Sequence, residues 1–187
     1  MAVGTRDALV QTAESLMRTK GYAAFSYADL AETVGIRKAS IHHHFPTKED
    51  LGTAIVKEYI DRVRDDFAQI ERQHEGAIAR LEAFFKIFRA STDGGLLPLC
   101  GALAAEMSAL PLGLQQLTHR FFEMQLKWLE AVLEQGMERG EYPSGPGARQ
   151  KAFALLSLLE GSSFINWATK AGDPMDDRIV RLIVEES

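Results

Sequence analysis

Ser-Tyr-Ala-Asp-Leu-Ala-Glu-Thr-Val-Gly-Ile-Arg-Lys-Ala-Ser-Ile-His-His-His-Phe-Pro-Thr-Lys-Glu-Asp-Leu, residues Ser26 to Leu51, packs helix starts, a glycine stop and a proline stop into one short segment. Ser26 followed three residues later by Asp29 reads as a capping box. The hydroxyl accepts an orphan backbone N–H, and the carboxylate reaches back and favours the positive helix end. A helix therefore starts at Tyr27. Leu30, Ala31 and Val34 recur on it at helical spacing, and Gly35 stands where a left-handed residue would close it. A second helix begins near Arg37, and Pro46 ends it.

At about 100° per residue, Ile41 and Phe45 share one face of this second helix and point inward. Ala39, Ser40, His42 and His43 face the other way, Arg37 and Lys38 occupy the first turn, and His44 flanks the buried stripe. The pattern is a helix-turn-helix. An α-helix fits the DNA major groove, with its first residues on base edges and its neighbours on phosphates. The small side chains of Ala39 and Ser40 allow close approach. Thr47 and Asp50 form a second box of the same kind, which sets Lys48 and the first N–H groups of a new helix beside the groove as a phosphate clamp. The candidate DNA contacts are Ser26, Tyr27, Arg37, Lys38, Ala39, Ser40, His42, His43, His44 and Lys48.

The run Gly35 to Leu51 resembles the DNA-binding signature of the TetR family of transcriptional regulators, and with the preceding helix the resemblance covers Thr5 to about Leu51. It implies an all-α homodimer with an N-terminal three-helix DNA-binding domain (1–50) and a C-terminal ligand-binding and dimerisation domain (51–187). The family usually has Ser or Thr where Arg37 stands, often Gly at Ala39, and typically Tyr at His42. These departures bear on the operator sequence, not on the fold.

The chain has 187 residues, 46 % hydrophobic and 25 % charged, enough for one large or two small domains. No stretch approaches the roughly 20 apolar residues of a membrane span, and Met1 to Val10 lacks the regions of a signal peptide, so the expected location is cytoplasmic. Cys100 is the only cysteine, which excludes an intramolecular disulfide and a multi-cysteine zinc site. Net charge is −5, an apparent argument against DNA. Residues 1–50, however, balance six basic against six acidic side chains, and the remaining 15 basic and 20 acidic residues carry the deficit. Binding therefore depends on the local placement of Arg37, Lys38, Lys48 and the histidines.

Along the rest of the chain, Thr5 is read as the cap of a first helix running to Lys20. A long helix from about Lys48 to Gln73 carries the stripe Leu51, Ile55, Tyr59, Val63, Phe67 and Ile70, and links the DNA clamp to the C-terminal core. Helices follow at about Ala77 to Ser91, Leu99 to Ala109, Leu112 to Arg139, Ala148 to Lys170 and after Pro174, broken at Asp93-Gly-Gly-Leu-Leu-Pro and at Gly140 to Gly147. No strand pattern appears, which predicts about nine helices. The helix Ala148 to Lys170 has little polar face and must be covered on more than one side. The family reading makes it and the last helix a two-fold interface, so the operator should be near-palindromic.

Phe84, Phe88, Cys100, Leu103, Met107, Phe121, Phe122, Met124, Trp128, Phe164 and Trp167 are the candidates for lining a pocket for an apolar or amphipathic small molecule, with core packing the alternative for each. Glu106, His119, Gln125, Glu160 and Asn166 are its possible polar partners. Consecutive His42, His43 and His44 diverge by about 100° and cannot converge on one ion, so no metal is expected, and no cofactor motif is present. Cys100, at a helix start, is either a buried hydrophobe or a redox and electrophile sensor. No carboxylate pair, Ser/His/Asp set or phosphate loop suggests an enzyme. The sequence thus reads as a ligand-responsive repressor that binds double-stranded DNA, with control by a protein partner as an alternative.

Overall fold

The computed structural model describes residues 4–92, 94–142, 147–170 and 178–185. Among them the fold is all-α, with nine helices: α1 (Thr5–Lys20), α2 (Tyr27–Val34), α3 (Lys38–His44), α4 (Lys48–Gln73), α5 (Ala77–Thr92), α6 (Leu99–Ala105), α7 (Leu112–Glu138), α8 (Ala148–Thr169) and α9 (Ile179–Glu185). A short 3₁₀ turn, Met107–Ala109, takes the end of what reads in sequence as one helix to Ala109. Thr5 is not a cap: Gly4 holds that position and no side chain closes it. Asp93, residues 143–146, the Pro174 start of the last helix and the side chain of Leu182 lie outside the described residues.

The chain forms two compact units, 1–61 with 96–121, and 62–95 with 122–187. This division differs from the boundary at residue 50 that the motif suggests. The reason is that the segment from Leu96 onward packs on the N-terminal helices. Buried Arg18 donates from Nε to Leu97 O at 2.7 Å, and Glu106 accepts the Ala23 N–H at 2.8 Å. Gly52 of α4 meets Leu114 of α7 so closely that a Cβ there would lie 3.1 Å from the leucine side chain. Leu9, Ala13, Met17, Phe25, Leu30, Ile41, Leu51, Ile55 and Leu114 are buried in this first unit.

The second unit is built around Phe67, Leu81, Phe84, Phe85, Leu129, Leu133, Leu155 and Leu159. Phe67 stacks on Trp128 with ring centroids 4.3 Å apart, and the indole N–H donates to Glu71 at 2.8 Å. Gly136 is required where α7 approaches α5, because a Cβ would lie 2.6 Å from that of Ala77. Helix α8 buries Ala148, Ala152, Leu155, Leu156 and Leu159, yet Phe153, Leu158, Ile165 and Trp167 on it are 40–65 % exposed. The sequence expectation that this helix needs cover on more than one side is met on one side only within a single chain.

Candidate nucleic-acid interface

Local chemistry builds the site in the order in which the chain is read. Ser26 Oγ accepts from the backbone N–H groups of Ala28 and Asp29, and the Asp29 carboxylate accepts from both the N–H and the hydroxyl of Ser26. The hydroxyl and then the amide of Ser26 hold the Asp29 carboxyl below its ordinary value. Gly35 closes α2 at φ 75°, a left-handed conformation that costs glycine nothing, and its N–H returns to Ala31 O at 2.9 Å. Arg37 then caps α3. The second box is complete as well: Thr47 N–H and Oγ1–H donate to Asp50 Oδ2, and Asp50 N–H donates to Thr47 Oγ1.

Helix α3 has only seven residues, too short to persist alone, so its position is set by what it buries. Ile41 is 0 % and Phe45 5 % exposed, while Lys38, Ala39, Ser40, His42, His43 and His44 all face solvent. The Arg6 guanidinium lies 5.5 Å over the Phe45 ring, and Arg6 also donates to Glu58 of α4 at 2.9 Å. Tyr27 fixes the end of α3: its hydroxyl reaches Thr47 O at 2.6 Å and Phe45 O at 3.0 Å. Burial, with smaller contributions from the charge of Asp50 and from Tyr22, pushes this phenol up to about 12.

The ten residues expected on DNA therefore divide. Arg37, Lys38, Ala39, Ser40, His43 and His44 lie together on the exposed side of α3, and the Arg37, Lys38 and Ser40 side chains hold no hydrogen bond or ion pair with a described residue. His42 is exposed but engaged, with Nδ1 3.1 Å from Pro46 O and its ring 5.0 Å from that of Tyr27. Three residues make contacts within the chain. Ser26 is the α2 cap. Tyr27 is buried and holds the end of α3. Lys48 turns back into its own unit, its ammonium donating to Phe25 O at 2.5 Å and Ala23 O at 3.4 Å above the rings of Phe25 and Tyr22. Desolvation there lowers the Lys48 pKa, against the raising effect of Glu106 and Asp29. Sequence spacing put Lys48 beside the groove; only the fold shows that carbonyls of the α1–α2 turn compete for it.

The pocket candidates divide too. Cys100, Leu103 and Phe121 are buried in the first unit, and Met107 is half-buried in its 3₁₀ turn. Phe84, Phe88, Phe122, Met124 and Trp128 belong to the core of the second unit. Phe164 is half-buried and Trp167 is 45 % exposed on α8. Of the polar candidates, Glu106 is used on Ala23, and His119 is exposed. No cluster of three metal-ligating side chains occurs among the described residues, nor any helix long and apolar enough to cross a membrane.

Comparison with known proteins places this geometry in a wider set. The family model for bacterial regulatory proteins of the tetR family matches residues 9–55. The HTH-type transcriptional repressor ComR of Escherichia coli is 30 % identical over 166 residues, 84 % of this chain and 77 % of that protein. Two solved structures align over nearly the whole chain. A TetR-family transcriptional regulator from Agrobacterium tumefaciens has a TM-score of 0.83 at 30 % identity, covering 96 % of this chain and 93 % of its own. A TetR transcriptional regulator from Legionella pneumophila has a TM-score of 0.83 at 27 % identity, covering 97 % and 94 %.

Proposed function

Because the chain belongs to the tetR family of bacterial regulatory proteins, we propose that it is a ligand-responsive transcriptional repressor that binds an operator in double-stranded DNA as a homodimer and is released by a small molecule. The observation that carries the reading is α3. A short helix is anchored by Ile41 and Phe45, stapled by Tyr27, and left with two cations that pair with no described residue, a hydroxyl and imidazoles on the face that meets solvent. Arg37 and Lys38 meet phosphate or a guanine edge, Ala39 admits the helix into the groove, and Ser40, His42, His43 and His44 supply short polar contacts. Ser26, Tyr27 and Lys48 aim that face rather than touching DNA.

The exposed apolar residues of α8 support a partner subunit there, since Phe153 and Ile165 are each more than 60 % exposed. Two α3 helices then address half-sites about one DNA turn, roughly 34–36 Å, apart or a multiple of it, and the operator is near-palindromic. The protein acts with the DNA, in the cytoplasm. An apolar or amphipathic effector is taken up by the aromatic core of the second unit and releases DNA by binding the low-affinity form better. Complete burial of Cys100 favours an effector that binds over one that reacts with the thiol.

Selection of bound sequences from a random duplex pool tests this reading, followed by a metabolite screen for release. Recovery of an inverted repeat that Arg37→Ala or Lys38→Ala binds more weakly supports it. A chain that enriches no sequence and binds no duplex at low salt overturns it.

A further inference from the structure

In the second unit, two side chains bury acceptor atoms that have no hydrogen-bond partner among the described residues: Gln125 Oε1 on α7, and both carboxylate oxygens of Glu160 on α8. Gln125 is 2 % exposed. On its helix it stands one turn from Phe122 and one turn from Leu129, and Glu160 stands one turn from Leu156 and from Phe164. Phe122, Leu129 and Leu156 belong to the same apolar core, together with Phe84 of α5.

Elsewhere among the described residues of this unit, buried polar side chains find partners. The buried Lys151 ammonium donates to Val184 O at 2.8 Å, and buried Tyr142 donates its hydroxyl to Leu133 O at 2.6 Å. Orphaned acceptors are therefore exceptions that call for a donor. Burial also pushes the Glu160 carboxyl up to about 7, as expected of a carboxylate with no compensating partner among the described residues.

We propose that Gln125 and Glu160 are the polar anchors of the effector site, and that the effector is an apolar molecule bearing hydrogen-bond donors, a hydroxyl or an amine. The proposal rests on the reading of the chain as a ligand-responsive regulator and names the chemistry of its ligand. Gln125 Oε1 accepts at any pH and Glu160 accepts with both oxygens once ionised, so above about pH 8 an ether or a ketone offers them nothing, and an anion adds repulsion from Glu160. The apolar part of the molecule lies against the aromatic and leucine side chains that surround them.

The test uses the full chain and three probes of one shape in isothermal titration at about pH 8.5, where Glu160 is ionised: 4-phenylphenol, 4-phenylbenzylamine and 4-methoxybiphenyl. A hydrogen bond to a buried orphan acceptor predicts that the phenol or the amine binds the wild type at least about tenfold more tightly than the ether. Gln125→Leu and Glu160→Leu should each reduce that preference. Glu160→Gln, which keeps the shape and an acceptor, should reduce the preference for the amine more than that for the phenol and guards against loss of folding in the leucine variants. Equal binding of the three probes, no binding of any, or a preference unchanged in all variants overturns the proposal; the last of these means that groups other than Gln125 and Glu160 bind the donor. Duplex selection reads the regulator assignment separately. A chain that selects an operator but shows no donor preference refutes this inference alone, and one with the preference but no DNA binding refutes the regulator assignment alone.

Discussion

Replacing Lys48 by methionine keeps the hydrocarbon stem and removes the ammonium, and the two roles open to this lysine then give different numbers. In the structure the ammonium donates to Phe25 O at 2.5 Å and lies 4.4 Å and 4.7 Å from the ring centroids of Phe25 and Tyr22. A hydrogen bond from a charged donor contributes about 1.5–3 kcal/mol, and a partly exposed cation–π contact about 0.5–1 kcal/mol. The bond to Ala23 O, at 3.4 Å, adds little. Methionine recovers part of the packing, so the expected net loss is about 2 kcal/mol. At about 2–4 °C per kcal/mol for a chain of this size, the transition that melts the first unit falls by about 4–8 °C, which calorimetry reads directly. The same variant is then titrated with operator between 50 and 200 mM salt. A lysine seated on a phosphate contributes about 0.9 to the slope of log K against log salt, whereas an internal staple leaves the slope unchanged. A slope reduced by about one with an unaltered melting temperature would refute the reasoning and return Lys48 to the DNA.

The hydroxyl of Tyr27 serves the buried Phe45 O and the partly buried Thr47 O, so Tyr27→Phe should cost about 1–3 kcal/mol in urea unfolding; an unchanged midpoint would deny it the stapling role. Arg37→Ala and Lys38→Ala should each lower the salt slope of operator binding by about 0.9 with little effect on stability, and slopes matching wild type would remove these two from the phosphate contacts. The Glu160 carboxyl is raised from 4.5 to about 7 in the folded chain, so the folded state holds a proton that the unfolded state has lost. Stability is therefore lost as pH rises from about 4.5 to about 7, by roughly 3 kcal/mol at about 1.4 kcal/mol per pH unit. Glu160→Gln should flatten that decline in urea midpoints measured at pH 5 and pH 8; parallel profiles for variant and wild type would contradict the assignment. Finally, Phe153→Asp combined with Ile165→Asp should yield a folded monomer in sedimentation and weaken operator binding, and a dimer that persists would move the interface off α8.

Much of the DNA-facing half was legible because its signals are local. Capping at Ser26 and Thr47, the left-handed stop at Gly35 and the inward pair Ile41 and Phe45 each depend on residues within one or two helical turns, and the structure carries every one. What was not legible is any contact whose partner lies far away in sequence. Lys48 meets carbonyls 23 and 25 residues earlier, and Arg18 meets one 79 residues later. Spacing along a helix says which face a side chain leaves from, not what waits for a long, flexible one when the chain returns.

By itself the sequence determined the all-α class, the bounds of most helices and the exposed side of α3, because period, capping and breaker chemistry act between near neighbours. Tertiary structure alone decided three further things. It drew α6 and the start of α7 into the unit of the DNA-facing helices, because their partners are the Arg18 side chain and the Ala23 amide. It separated Cys100, Leu103 and Phe121 from the aromatic core around Phe84 and Trp128. And it left Gln125 Oε1 and both Glu160 carboxylate oxygens buried with no hydrogen-bond partner among the described residues, since whether a polar group is satisfied depends on every element packed around it.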